Sequence, residues 1–371
     1  MTSHPLVHTS KQGGLALVTV LLIVGLIATL QVFLIEQQHL LIRRISNQNA
    51  AEQSFQYGQG VTAWATRVLH EDQNTVVDYW GEDWYKFGKP PESQEGQIED
   101  DSGFSLQTTS QAQQEEEPMP VVDFGFDGLQ FEISDLQSRF NLNNLQDKNP
   151  VAVKAYKTIF LNLLEILEVG EFDERERLYG ALLDWIDEND LLSANGYESG
   201  DYRIKSTPYY SADQKLASIG ELRFVEGFTP ELITRLKPYV TVLPINNARI
   251  NINTASTEVV AALSAVPVSN LASVSAFLSE REEEAFLGFQ SADIQRAESA
   301  IIGASAIGRS PIPNMLQTNS QFFSINTQVT LGDYRYCLRT KVLRQGAGQR
   351  GSAGPSVSIL GRENDTFCAE S

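Results

Sequence analysis

Residues 11–36 read KQGGLALVTVLLIVGLIATLQVFLIE, and this stretch decides how the rest of the chain is read. Between Leu15 and Ile35 there is no charged residue. As a helix rising 1.5 Å per residue, the segment spans about 32 Å, one hydrocarbon thickness. Lys11 and the N-terminal amine precede it, which places the N-terminus in the cytoplasm by the positive-inside rule; Arg43 and Arg44 on the far side count the other way. A cleaved secretory signal would carry a shorter apolar core followed by a small-x-small site. Here the apolar run passes into Glu36 and a Gln-rich stretch without a break.

Beyond Glu36, Leu41, Ile45, Ala51, Phe55, Gly58, Val61, Ala65 and Val68 recur mostly at three- to four-residue spacing. That is an apolar stripe on a polar helix. The spacing predicts one helix from the bilayer into a soluble domain, over residues 15–72, with 15–35 transmembrane. The body is expected on the far side of the membrane from the N-terminus.

The chain has 371 residues and a net charge of −19. After the anchor, about two domains of ordinary size are expected. So acidic a body repels nucleic acid and makes hard cations plausible ligands. The two cysteines are Cys337 and Cys368. In an exported body they could form one disulfide closing a loop of about 30 residues, worth ~3 kcal/mol in the chain-entropy model. Two buried free thiols are the alternative.

Residues 73–138 begin with an aromatic cluster (Tyr79, Trp80, Trp84, Tyr85, Phe87) and Pro90-Pro91. Residues 90–120 are polar and acidic, the composition of a mobile loop. Apolar patterning predicts strands at 128–135, 322–331, 334–343 and 357–360. Helical patterns fill 140–289, within a segment assigned to 139–320, leaving 321–371 for the C-terminal strands. Two passages look alike, FNLNNL at 140–145 and ININTA at 250–255, each preceding a helix. An internal duplication would explain them. LASIGEL at 216–222 followed by GFTPEL at 227–232 has the look of a helix-hairpin-helix. Its acidic surroundings favour packing of small helices over DNA binding.

Asp184, Asp187, Glu188 and Asp190 crowd one helix end, and Glu198 and Asp201 follow around Gly196 and Gly200. Acid at a helix C-terminus opposes the helix dipole. Calcium held by carboxylates and carbonyls would relieve both that and the mutual repulsion; a solvated acidic loop is the alternative. The spacing is not that of an EF-hand. No Gly-rich phosphate loop, Cys/His metal set or catalytic triad is present.

The basic leader ending in Gly14 ahead of Leu15 resembles the class III signal of type IV pilins and pseudopilins. With RFNLN at 139–143, LDWID at 183–187, LASIGEL at 216–222 and ININTA at 250–255, the ordered set resembles the minor pseudopilin K family of bacterial type II secretion. The resemblance implies an α+β, type IV pilin-like fold: a long N-terminal helix on an antiparallel sheet, with a large inserted helical domain. It implies a leader, residues 1–14, cut between Gly14 and Leu15 by prepilin peptidase, with methylation of the new N-terminus. Thr19 stands where the family usually has Glu. The resemblance further implies calcium in the helical insertion, matched best by Asp187 and Glu198, with Asp190 and Asp201 added by proximity. It implies a non-enzymatic tip protein of the periplasmic pseudopilus, with partners in the other minor pseudopilins (I, J and H types) and the inner-membrane assembly platform. The rival is a single-pass anchored periplasmic enzyme or receptor with a calcium-stabilised ectodomain.

Overall fold

A computed structural model describes residues 13–72, 74–87, 128–264, 266–282, 285–286, 301, 315–346 and 355–365. Leader residues 1–12, the expected loop at 90–120 and Cys368 lie outside the described residues. Helix α1, Gly13–Glu71, contains no proline, so its backbone ladder runs uninterrupted for 59 residues. Its stretch from Leu17 to Ile35 presents its large apolar side chains outward, uncovered by the rest of the chain. This part is long and apolar enough to cross a membrane.

The sheet covers only the last turns of α1. Ser54, Gly58, Val61, Thr62, Ala65, Val68 and Leu69 are buried there, at helical spacing. The packing stripe is therefore shorter than the spacing predicted. Leu41 and Ile45 lie below the sheet and are exposed, and Phe55 points aside at 38% exposure. Gly58 marks the closest approach: a Cβ there would lie 2.9 Å from Leu338 Cδ2.

Four antiparallel strands form the sheet in the order β1-β6-β7-β8. They are β1 (Leu129–Asp135), β6 (Phe322–Leu331), β7 (Tyr334–Gln345) and β8 (Ser356–Asp365). Gly332, at φ +60°, makes the two-residue turn between β6 and β7. The edge strand β8 extends well past the expected 357–360. Its register slips by one residue at Leu360, since Lys341 faces Gly361 while Val342 faces Ile359. Such a bulge twists an edge and discourages further pairing. Between sheet and helix lies a small core of Val61, Ala65, Leu69, Ile133, Phe323, Ile325 and Val342. Trp84, on the short helix α2 (Asp83–Phe87), closes it edge-on to Phe323 at 5.2 Å.

A helical unit is inserted between β1 and β6 and has its own, larger core. Its elements are β2 (Phe140–Asn141), α3 (Pro150–Ile166), α4 (Phe172–Ile186), α5 (Ser199–Arg203), α6 (Pro230–Leu236), β3 (Val240–Thr241), β4 (Ile250–Asn251), α7 (Thr257–Ala261), α8 (Pro267–Ser279) and β5 (Leu316–Gln317). Local chemistry starts the helices: Asn149 caps α3 ahead of Pro150, and Thr229 caps α6 ahead of Pro230.

The two look-alike passages do the same structural job. Each supplies a two-residue parallel bridge, β2 with β3 and β4 with β5. In each, the first Asn side chain accepts the amide two residues on: Asn143 N–H to Asn141 Oδ1 at 3.3 Å, and Asn253 N–H to Asn251 Oδ1 at 3.0 Å. The second Asn then ties down distant backbone, Leu216 and Leu243 in one case and Phe286 in the other. A buried amide satisfied on all sides fixes a loop that has no regular structure of its own.

Candidate metal centre

Helix α4 ends at Ile186, and its last turn carries Asp184 inward, fully buried. The Ser193 amide lies 3.2 and 3.1 Å from the two Asp184 carboxylate oxygens. At Gly196 the returning loop crosses this carboxylate so closely that a Cβ would sit 1.8 Å from Asp184 Oδ2. Glu198, at the start of α5, is only 7% exposed, and both of its carboxylate oxygens are buried without a hydrogen-bond partner. Asp213 adopts a left-handed φ of 48°, donates its amide to Trp185 O at 3.1 Å, and leaves Oδ1 buried without a partner. Asp187, half-buried, accepts the Asn189 amide at 3.2 Å.

The electrostatics follow from this crowding. Burial first, then the charges of Asp184, Asp187 and Asp213, push the Glu198 carboxyl up to about 7. Burial likewise raises Asp187, helped by Asp184 and Asp213 and opposed by the Asn189 amide. Among the described residues no basic side chain forms an ion pair with any of the four. An oxygen-only donor set with three orphaned buried oxygens suits a hard cation. Trp185 backs the site, edge-on to Tyr202 at 5.3 Å and stacked near Phe224 at 6.4 Å.

Of the residues singled out in the sequence, Asp187 and Glu198 come together. Asp190 is exposed, and Asp201 Oδ2 accepts the Glu198 amide at 3.1 Å, fastening the start of α5. Asp184 and Asp213 complete the cluster. Asp184 belonged to the acidic run and sits three residues, one helical turn, before Asp187, a spacing that could have paired them. Asp213 lies in no motif. Gly14 and Leu15 fall in the first turn of α1. Cys337 lies on β7 opposite Asp365, three residues short of Cys368.

A second acidic group sits where the end of α1, the sheet and the insertion meet. Carboxylate oxygens of Asp72, Asp78 and Glu82 lie within 4.8 Å of one another. Here the protein supplies the cation. Arg344, 1% exposed, binds Asp72 and Asp78, and donates to Ser320 O at 3.0 Å. Glu82 accepts Trp84 Nε1 at 2.7 Å. Fully buried Asp135 accepts Thr254 Oγ1 at 2.5 Å, Ser320 Oγ at 2.6 Å, the Gln137 amide at 2.7 Å and Asn251 Nδ2 at 3.1 Å. This knot fixes the insertion beyond the C-terminal end of α1, at the pole away from the apolar segment.

Residues 138–245 match the family model of type II secretion system protein K. The type II secretion system protein K of Aeromonas hydrophila is 32% identical over 69% of this chain and 71% of its own length. The chain belongs to the type II secretion system protein K family. Protein K of Pectobacterium carotovorum is 26% identical over 87% of this chain and 90% of its own. The fold is also that of a solved structure, a chain in the crystal structure of the GspK-GspI-GspJ complex from the type 2 secretion system of enterotoxigenic Escherichia coli. That likeness has a TM-score of 0.62 at 20% identity and covers 87% of this chain and 99% of that one. The architecture is thus pilin-like with a helical insertion, the fold of a minor pseudopilin K.

Proposed function

We propose that this chain is a non-enzymatic minor pseudopilin that caps the tip of the periplasmic pseudopilus and helps initiate its assembly. The observation that carries this is the position of the insertion. It rises past the end of α1, clamped there by Arg344, Asp78, Asp135 and Asn251. A shaft subunit must leave that pole free for the next subunit; here about 180 residues occupy it. Thr19 agrees with a place at the end. A carboxylate in an apolar helix bundle is costly unless paired, and a subunit with nothing ahead has no amine to pair with. Partners are the other minor pseudopilins of I, J and H types and the inner-membrane assembly platform, joined after prepilin peptidase cuts between Gly14 and Leu15. Gold-labelled antibody to the helical domain should mark one end of isolated pseudopili; regular decoration along the shaft would overturn the reading. Mass spectrometry should find an N-methylated Leu15 as the mature N-terminus.

Within this role calcium is a structural ion, held by Asp187 and Glu198 together with Asp184 and Asp213. It would tie the end of α4 to the loop at 193–198 and the turn at Asp213. Cys337 and Cys368 form a disulfide that fastens the C-terminal tail to β7. Alkylation under non-reducing conditions should leave both thiols unmodified.

A further inference from the structure

Two basic residues stand on the side of the apolar segment where the positive-inside rule does not expect them. Arg43 and Arg44 are neighbours on α1, beyond the uncharged run that ends at Ile35. Both are exposed, and among the described residues neither forms an ion pair. Along the helix the nearest carboxylates are Glu36 and Glu52. They lie about 10–12 Å away along the axis, well beyond the spacing at which helical side chains meet. On a chain of net charge −19 these two charges are left unanswered by the fold.

The surface around them is apolar. Leu40, Leu41, Ile42 and Ile45 are all exposed, whereas residues 46–54 (SNQNAAEQS) hold no large apolar side chain. The apolar character of α1 therefore runs past its uncharged segment and stops at Ile45, before the sheet begins to cover the helix at Ser54. Four exposed apolar side chains so close together are costly in water. Their depth says what covers them. Arg43 rises about 12 Å past Ile35 and Arg44 about 14 Å. The headgroup layer fills about 5–8 Å outside the hydrocarbon. Helical side chains lean toward the N-terminus, here toward the bilayer, so the long arginine side chains close that gap.

We propose that Arg43 and Arg44 bind the phosphates of anionic phospholipids at the membrane surface on the side of the body. The proposal rests on α1 as a membrane anchor and not on a place at the tip. A guanidinium fork takes two phosphate oxygens at once, and two forks side by side favour a headgroup of net negative charge. The acidic body repels such a surface, so the arginines mark where this side of the chain can hold it. They also set the depth of the helix. Sinking would drag two charges toward hydrocarbon, and rising would strip Leu40, Leu41, Ile42 and Ile45 of their cover.

The test offers the full chain, in a nonionic detergent, equal amounts of phosphatidylglycerol and phosphatidylcholine, and counts the retained lipids by native mass spectrometry. Wild type should retain phosphatidylglycerol in excess. Arg43→Gln/Arg44→Gln should lower the ratio of the two lipids at least tenfold. Arg43→Lys/Arg44→Lys, which keeps the charges and loses the forks, should fall between. Arg67→Gln, on the same helix but about 48 Å from Ile35, should match wild type. Both arginines lie outside the packed body, so every variant should melt at the wild-type temperature. The proposal is overturned if wild type retains the two lipids equally, which would hand the arginines to a protein partner, or if the double variant keeps the wild-type preference. It is also overturned if millimolar inorganic phosphate lowers the ratio to that of the double variant, the mark of a site for free phosphate. Retention of neither lipid would overturn the anchor and the proposal with it.

Discussion

Two acidic clusters occupy this protein, and they are resolved in opposite ways. At the junction, Asp72, Asp78 and Asp135 are saturated by protein donors: Arg344, the Ser320 amide and hydroxyl, Thr254 and Asn251. In the helical domain, Asp184, Asp187, Glu198 and Asp213 converge without a basic partner among the described residues and leave three oxygens orphaned. Both groups look alike as lists of carboxylates. What separates them is whether the fold itself provides the positive charge. The first is a structural knot; the second is the one proposed to take its cation from solution.

The sharpest way to break the comparison is to remove the internal cation. Arg344→Met should destabilise the body by about 3–5 kcal/mol, because it strands two carboxylates in a buried site. Asp78→Asn in the same background should recover part of that loss, since the two residues are coupled. Urea unfolding of the two variants measures both. A loss below about 1 kcal/mol would mean that water reaches the knot, and the contrast between the clusters would collapse.

The next largest effect should come from the external cation. At calcium one hundred times its Kd, linkage gives about 2.7 kcal/mol of stabilisation. Calcium should therefore raise the Tm over that in EGTA, and Glu198→Gln should abolish the difference. Gly196→Ala should do the same, because its methyl group would displace Asp184. Arg344→Met should keep its calcium response. No calcium effect on the wild type would reduce the helical-domain cluster to a strained, partly protonated loop.

This contrast was only half legible in the sequence. The apolar segment and the strand at 322–331 follow from hydropathy and patterning, which are local signals. Asp187 and Glu198 were within reach because both belong to one short acidic stretch. Asp213 was not, because its role depends on a left-handed turn that brings it back under Trp185. Arg344 was still less visible: 266 residues separate it from Asp78. Side chains whose meaning is set by partners distant in sequence leave no periodic trace.

The smallest predicted effect concerns the junction alone. Burial holds Asp78 up to about 7 and Glu82 up to about 8, with Arg344 pulling Asp78 back and Asp78 pushing Glu82 further. Both values lie above those of the unfolded chain, near 4. The folded state therefore binds these protons more tightly. That contribution is complete below about pH 4 and is lost as pH rises through 7 to 8. Measured in a Glu198→Gln background, so that the helical-domain cluster contributes less, the Tm should fall by a few degrees from pH 5 to pH 8. Glu82→Gln should flatten that slope, and made alone in the wild-type chain it should leave the calcium response unchanged. A Tm that instead rises over this range would mean that Arg344 outweighs burial, so that the knot works as an ordinary ion pair and not as a proton-holding cluster.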